Sequence, residues 1–245
     1  MGCPIEYLGN NVELVISPEH GFGTDALLLA DFASPHRKDL CMDLGTGCGI
    51  IPMIWHRNGI AGDIYGMDIQ PAAIQQFQES IERNGSPSHL HAVQGDLKAL
   101  PDTLPLGRFR VVTMNPPYKT GGSGILSSAR SDQIARHETE CTLTDICDAA
   151  RRLLTFGGKF CLCSRPERLA DAVCAFRDAG LEPKRLRMVQ KRPETAPWLF
   201  LLEGRLGGKP FLNVDPPFYI QNADGGDSEE LLRVLGSYRE EETHE

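Results

Sequence analysis

Apolar residues in this chain fall into short runs punctuated by glycine, proline and acidic positions, and the period of each run predicts an element. Behind Thr24 and Asp25, both N-cap candidates, residues 26–32 continue apolar, which predicts a helix. Leu40-Cys41-Met42-Asp43-Leu44 has the unbroken apolar character of a strand buried on both faces. Gly45, Gly47 and Gly49 follow, and then a helix over 50–57. A second strand over 63–67 ends at Asp68, and Pro71 stands where a helix to residue 84 would begin. A third strand over 89–93 leads into Gly95-Asp96, and a fourth spans 108–114. A helix over 143–154 runs up to Gly157-Gly158, which read as its C-cap. A strand over 159–163 and a helix over 166–179 come next. Two final runs, 185–190 and 198–202, flank a proline-containing turn as an antiparallel hairpin.

Strand and helix alternate at least four times. The predicted fold is therefore α/β, a doubly wound, mostly parallel, seven-stranded sheet of Rossmann-like form with a C-terminal antiparallel hairpin. Ligands in such sheets sit beyond the carboxyl ends of the strands, so residues just after each strand hold the information about function. The 245 residues fit one domain, drawn at 1–215. Residues 216–245 form an acidic appendage whose few apolar residues, Leu231, Leu232, Val234 and Leu235, predict one short helix in an otherwise mobile end.

Charge sharpens that division. The net charge is −8, but 221–245 alone carry −6 and the other 220 residues only −2. Between residues 180 and 210 the sign reverses to +4. A near-neutral body with one basic stretch is compatible with a nucleic-acid substrate, and equally with solvated surface charge. No run of about 18 apolar residues is present, and residues 1–10 lack the basic and apolar parts of a signal peptide. These features predict a cytoplasmic protein with no membrane association. The eight cysteines contain no Cys-x-x-Cys pair, and no metal site is expected; Cys161 and Cys163 alternate in an apolar run as small core residues.

The loop Asp43-Leu44-Gly45-Thr46-Gly47-Cys48-Gly49 does not fit the dinucleotide fingerprint, because the sixth position counted from Gly45 is Ile50. It lacks the Gly-Lys-Ser/Thr of a phosphate loop as well. An acid two places before the first glycine suits a cationic ligand group or the backbone of the loop itself. This is the pattern of S-adenosylmethionine (SAM) enzymes. Asp68, 25 residues after Asp43, is placed to accept from both ribose hydroxyls, with Ile69 beside it. Asp96, with Leu97, closes the third strand and is placed to accept from the adenine amino group.

Asn115-Pro116-Pro117-Tyr118 follows the fourth strand. The two prolines fix an extended backbone. The Asn115 side-chain oxygen and the Pro116 carbonyl are acceptors that can hold a planar NH2 group by its two hydrogens. Such contacts raise electron density at nitrogen and align it with a methyl donor. Tyr118 supplies a ring on which a flat base can stack, at about 1–3 kcal/mol.

Together the glycine loop and Asn-Pro-Pro-Tyr resemble the class I SAM-dependent methyltransferases that modify exocyclic or amide nitrogen. Three further stretches resemble the tRNA(Val) adenine-N6-methyltransferase group. They are Gly23-Thr24-Asp25-Ala26-Leu27-Leu28-Leu29, Ala135-Arg136-His137-Glu138, and the closing hairpin with Lys209-Pro210-Phe211. The similarity covers 21–212 and implies N6-methylation of an adenine beside the anticodon, with SAM as methyl donor, tRNA as substrate and no obligate protein partner. It further implies that Thr24 and Asp25 lie near the methionine end of the cofactor. Arg136 and His137 would contact RNA phosphate or steady the loop after Tyr118. The glycine-rich run from Lys119 to Gly124 would close over a flipped base. Lys184, Arg185, Arg187, Lys191 and Arg192 are the candidate phosphate contacts.

Competing readings share the same motif. Release-factor glutamine methyltransferases resemble the chain but carry a helical domain before the glycine loop, where only 42 residues precede Asp43 here. DNA adenine methyltransferases add a target-recognition region, and guanine-N2 methyltransferases of ribosomal RNA show Phe in place of Tyr118. A SAM-binding subunit without catalysis would have no need of the Asn115 and Pro116 acceptors.

Overall fold

The computed structural model describes residues 4–117 and 141–239. A central sheet runs through the chain in the order β10-β8-β9-β7-β6-β3-β4-β5, and β11 also pairs with β8. Its parallel half consists of β3 (Cys41–Leu44), β4 (Ile64–Asp68), β5 (Leu90–Gln94), β6 (Phe109–Met114) and β7 (Leu154–Ser164). The antiparallel hairpin is β8 (Leu181–Gln190) with β9 (Leu199–Leu206), and β9 joins it to β7. These are the seven predicted strands. Two short ones were not predicted: β10 (Asn213–Val214) and β11 (Phe218–Tyr219) pair parallel with successive parts of β8 and cover its outer edge.

Side chains of each buried strand alternate between two cores. Cys41, Val111, Cys161, Cys163 and Leu201 enter one, with α1 (Thr24–Ala33), α2 (Ile50–Arg57) and Phe77 and Ile81 of α3 (Pro71–Arg83). Met42, Val112, Phe160, Leu162 and Leu202 enter the other, against α4 (Leu143–Leu153) and α5 (Leu169–Asp178). Both faces are therefore covered, which is why the strands read as continuous apolar runs. Trp55 of α2 locks the first layer by donating its indole N–H to the Ala30 carbonyl at 3.1 Å.

Two local predictions are corrected. Gly157 and Gly158 do not cap α4, which ends at Leu153 and passes directly into β7. Gly157, at φ +75°, lies in an irregularity where β7 gains residues relative to β6 between the Phe109–Leu154 and Val111–Lys159 pairs. The N-cap of α1 is Gly23, one residue before the two expected. Ahead of it, the N-terminal hairpin β1 (Ile5–Tyr7) and β2 (Glu13–Val15) seats on α3, where Gln76 donates to the carbonyls of Val15 and His20 at 2.8 Å each.

Residues 216–239 fold onto the body, with α6 (Glu229–Leu235) and a following turn. Phe218, Leu231, Val234 and Leu235 are all buried in the first core. The drop in composition at residue 215 thus has no counterpart in the packing. No helix among the described residues is long and apolar enough to cross a membrane.

Candidate active site

The loop between β3 and α2 takes its shape from its glycines. Gly45, Gly47 and Gly49 have φ of +61°, +55° and +83°, a region where a side chain is strained. At Gly49 there is a second reason, because a Cβ would run into the Phe77 ring. Nothing lies within 4 Å of where a Cβ on Gly47 would project, so the loop backbone there faces open space.

Asp43 lies beneath the loop, only 2% exposed. Thr113 on the neighbouring strand is its register partner and donates to its carboxylate at 2.7 Å. Burial pushes the Asp43 carboxyl up to about 7, and the Asp68 charge adds to the rise. The Thr113 and Thr46 hydroxyls oppose it. Thr46 itself is buried, and its hydroxyl makes no hydrogen bond of ordinary geometry even to Asp43.

Asp68 closes β4 and ties the neighbouring loops together. One carboxylate oxygen accepts from the Gly47 N–H at 3.0 Å and the other from the Gln70 N–H at 2.9 Å. Each oxygen has a further lone pair. Ile69, beside it, is 47% exposed, an apolar side chain held out at the carboxyl end of the sheet. Asp96 accepts from the Lys98 N–H at 2.9 Å in the turn after β5, and Leu97 packs against the second core.

The pairing of Leu44 with Met114 sets Gly45 and Asn115 side by side at the ends of adjacent strands. Asn115 donates through Nδ2 to Asp25 Oδ2 at 3.1 Å, and its Oδ1 accepts from the Cys163 thiol at 3.1 Å. Asp25 Oδ1 takes the Ala26 N–H at 3.0 Å in the first turn of α1. Thr24 opens that helix and is exposed. The half-buried Pro116 and exposed Pro117 continue from Asn115. The structure therefore gathers Asp25, Asp43, the glycine loop, Asp68 and Asn115 at one end of the sheet. Thr113 and Cys163 were missed in the sequence. The available signal was a polar residue inside the apolar run Val111-Val112-Thr113-Met114, and a thiol at the very end of a strand.

The basic candidates separate. Lys191 and Arg192 follow β8 at the same carboxyl-end rim as Asn115, and Arg192 pairs with Glu194 at 3.3 Å. The rest lie along the outer edge of the sheet and are engaged internally. Lys184 donates to the carbonyls of Lys209 and Phe211 at 3.0 and 2.7 Å. Arg185 stacks on the Phe32 ring, donates to the Phe32 carbonyl, and pairs with Glu203 and Asp215. Arg187 forms a two-pronged pair with Glu230 at 2.8 and 2.7 Å. One residue of the acidic end, Glu230, thus engages the basic stretch, while Arg185 is paired by Glu203 and Asp215, which precede that end. Tyr118, Lys119, Arg136 and His137 lie outside the described residues. Among the described residues there is no cluster of three or more His, Cys, Asp or Glu able to hold a metal ion.

A family model described as the methyltransferase small domain matches residues 19–170, more than half of the chain, including Asp25, the glycine loop, Asp68, Asp96 and Asn115. The chain belongs to that family. Curated relatives of this methyltransferase include a tRNA1(Val) (adenine(37)-N6)-methyltransferase of Tolumonas auensis, 26% identical over 217 residues and 88% of each chain. A protein of the same name from Parabacteroides distasonis is 28% identical over 74% of this chain and 75% of its own. Among solved structures, a predicted O-methyltransferase from Agrobacterium tumefaciens aligns with a TM-score of 0.69 at 18% identity, covering 88% and 96% of the two chains. A SAM-dependent methyltransferase from Aquifex aeolicus aligns at 0.53 and 16% identity, covering 78% and 94%. At those identities the likeness is one of fold, and it matches the architecture expected of a class I methyltransferase.

Proposed function

We propose that this methyltransferase transfers a methyl group from SAM to the exocyclic N6 of an adenine in tRNA, beside the anticodon, in the cytoplasm. The observation that carries the reading is the β3–β6 register, which sets a glycine loop open to a ligand next to an Asn-Pro acceptor pair. The names of the curated relatives supply the adenine and the tRNA.

The residues present fit SAM. Gly47 opens to space a Cβ would otherwise fill, Thr46 holds a buried hydroxyl, and Asp68 has lone pairs for a ribose diol. Asp96 and Leu97, Ile69, and Thr24 with Asp25 would border its adenine and methionine ends. Bound there, SAM supplies an electrophilic methyl on a sulfonium whose sulfur leaves as a neutral thioether.

The chain's own residues supply orientation. Asn115 Oδ1 and the Pro116 carbonyl accept the two N–H hydrogens of the target amine, turning its lone pair toward the methyl. Fixing two reactants in line can account for several orders of magnitude in rate. As the N–C bond forms the amine becomes acidic, and its proton passes to solvent, so no strong base is required. Tyr118 stacks the flipped base. Lys191 and Arg192, at the rim, contact backbone phosphate.

The test is transfer of labelled methyl from SAM to three separate pools: unmodified tRNA, ribosomal RNA and total protein. Label in tRNA is expected. Label recovered only in protein, as N5-methylglutamine, would move the enzyme to amide chemistry and overturn the substrate assignment.

A further inference from the structure

Asp25 and Cys163 have no place in the methyl-transfer step itself, yet both touch the amide on which it depends. An asparagine side chain has one acceptor end and one donor end of nearly equal shape. Rotation by half a turn would present two N–H donors to the N–H donors of an incoming amine, and the contact would repel. The site must therefore fix which end points where.

An ionised carboxylate can only accept. With Asp25 Oδ2 at 3.1 Å, the end of Asn115 that faces it has to be Nδ2. Its oxygen is then directed to the Cys163 side, where the thiol donates at 3.1 Å. In the rotated state the Asn115 oxygen would oppose a carboxylate, and its NH2 group would oppose a thiol donor. The carboxylate selects the rotamer, and the thiol adds a weaker preference for it, since sulfur donates and accepts only weakly. Asp25 is itself steadied, since its other oxygen caps the Ala26 N–H in the first turn of α1. Cys163 is fully buried at the end of β7, so its position is set by the sheet.

We propose that Asp25 and Cys163 are positioning residues that lock the Asn115 carboxamide with its oxygen available to the substrate amine. This assigns Asp25 a role toward Asn115, beyond any contact it makes with the cofactor. It rests on the reading of Asn115 as an acceptor of the target amine.

A double-mutant cycle on the full chain tests this, using Asp25→Ala, Asn115→Ala and the double variant. The readouts are kcat for methyl transfer to unmodified tRNA, SAM affinity by calorimetry, and thermal unfolding. At saturating SAM, Asp25→Ala should lower kcat by roughly 10- to 100-fold, the loss of one charge-assisted hydrogen bond, over and above any change in SAM affinity. The double variant should be no slower than Asn115→Ala alone. On the other side, Cys163→Ser keeps an O–H donor and should retain turnover, whereas Cys163→Ala should lose several-fold.

Multiplying effects in the cycle, or a fall in SAM affinity with kcat intact, would overturn the role of Asp25. Full turnover in Cys163→Ala would overturn that of Cys163. Full turnover in Asn115→Ala is a different failure, and would remove the acceptor reading beneath both.

Discussion

Asp43→Asn should make the ligand-free protein's stability less dependent on pH, in a direction fixed by the buried carboxyl. The Asp43 carboxyl titrates near 7 in the folded chain, raised chiefly by burial, against an ordinary value of 3.8. Such a group favours folding while protonated. Its stabilisation is complete below pH 4 and drains as pH rises, because the unfolded chain ionises first. Each pH unit between about 4 and 7 costs about 1.4 kcal/mol. Above 7 the folded group ionises too, and the loss levels off near about 4 kcal/mol. Between pH 5 and pH 8 the difference amounts to about 3 kcal/mol. The variant cannot titrate there, and its side-chain oxygen can still accept from Thr113. Urea unfolding of both proteins at pH 5, 6, 7 and 8 reads the comparison directly. The stability of the parent relative to the variant should fall with rising pH. Parallel curves would show that Asp43 is ionised throughout, and that the polar surroundings of the loop outweigh its burial.

Three other perturbations have definite expectations. Gly49→Ala forces a side chain at φ +83° into the Phe77 ring, and should destabilise by about 3 kcal/mol or more, seen as a lowered unfolding midpoint. Truncation after Asp215 removes Phe218, Leu231, Val234 and Leu235 from the core, at about 1.5–3 kcal/mol each. The truncated chain should unfold at much lower temperature, and an unchanged midpoint would show that the acidic end contributes nothing to the fold. Replacing Lys191 and Arg192 by alanine should weaken tRNA binding and reduce the slope of log affinity against log salt by about 2, while Lys184→Ala should leave that slope unchanged.

How much was readable follows from where each signal resides. The parallel strands were legible because burial on both faces leaves an unbroken apolar run, and the glycine loop because its backbone admits few other residues. Asn115-Pro116-Pro117 was legible as a string. What the string could not show is that Thr113 reaches Asp43, or that Cys163 and Asp25 grip Asn115, since those contacts depend on strand register and on a helix 90 residues upstream. The hairpin of Ile5–Tyr7 and Glu13–Val15 was invisible because three-residue strands carry almost no period.

Charge was the poorest guide. The basic stretch read equally as a surface for nucleic acid and as solvated charge, and the acidic end as a mobile appendage. In the fold Arg187 pairs with Glu230, and Arg185 with Glu203 and Asp215, so these cations are engaged within the chain. Composition cannot separate a cation destined for phosphate from one destined for a carboxylate of the same chain. Gly157-Gly158 failed for a related reason: glycine marks positive φ equally well after a helix and within an irregular strand.

The most direct measurement is single-turnover transfer of labelled methyl from SAM to unmodified tRNA, with the product digested to nucleosides, for the parent and for Asn115→Ala. The parent should yield N6-methyladenosine. The variant should bind SAM within a few-fold of the parent and transfer at least about 100-fold more slowly. Label on a different atom, or equal rates in the two proteins, would contradict an adenine amine held by Asn115.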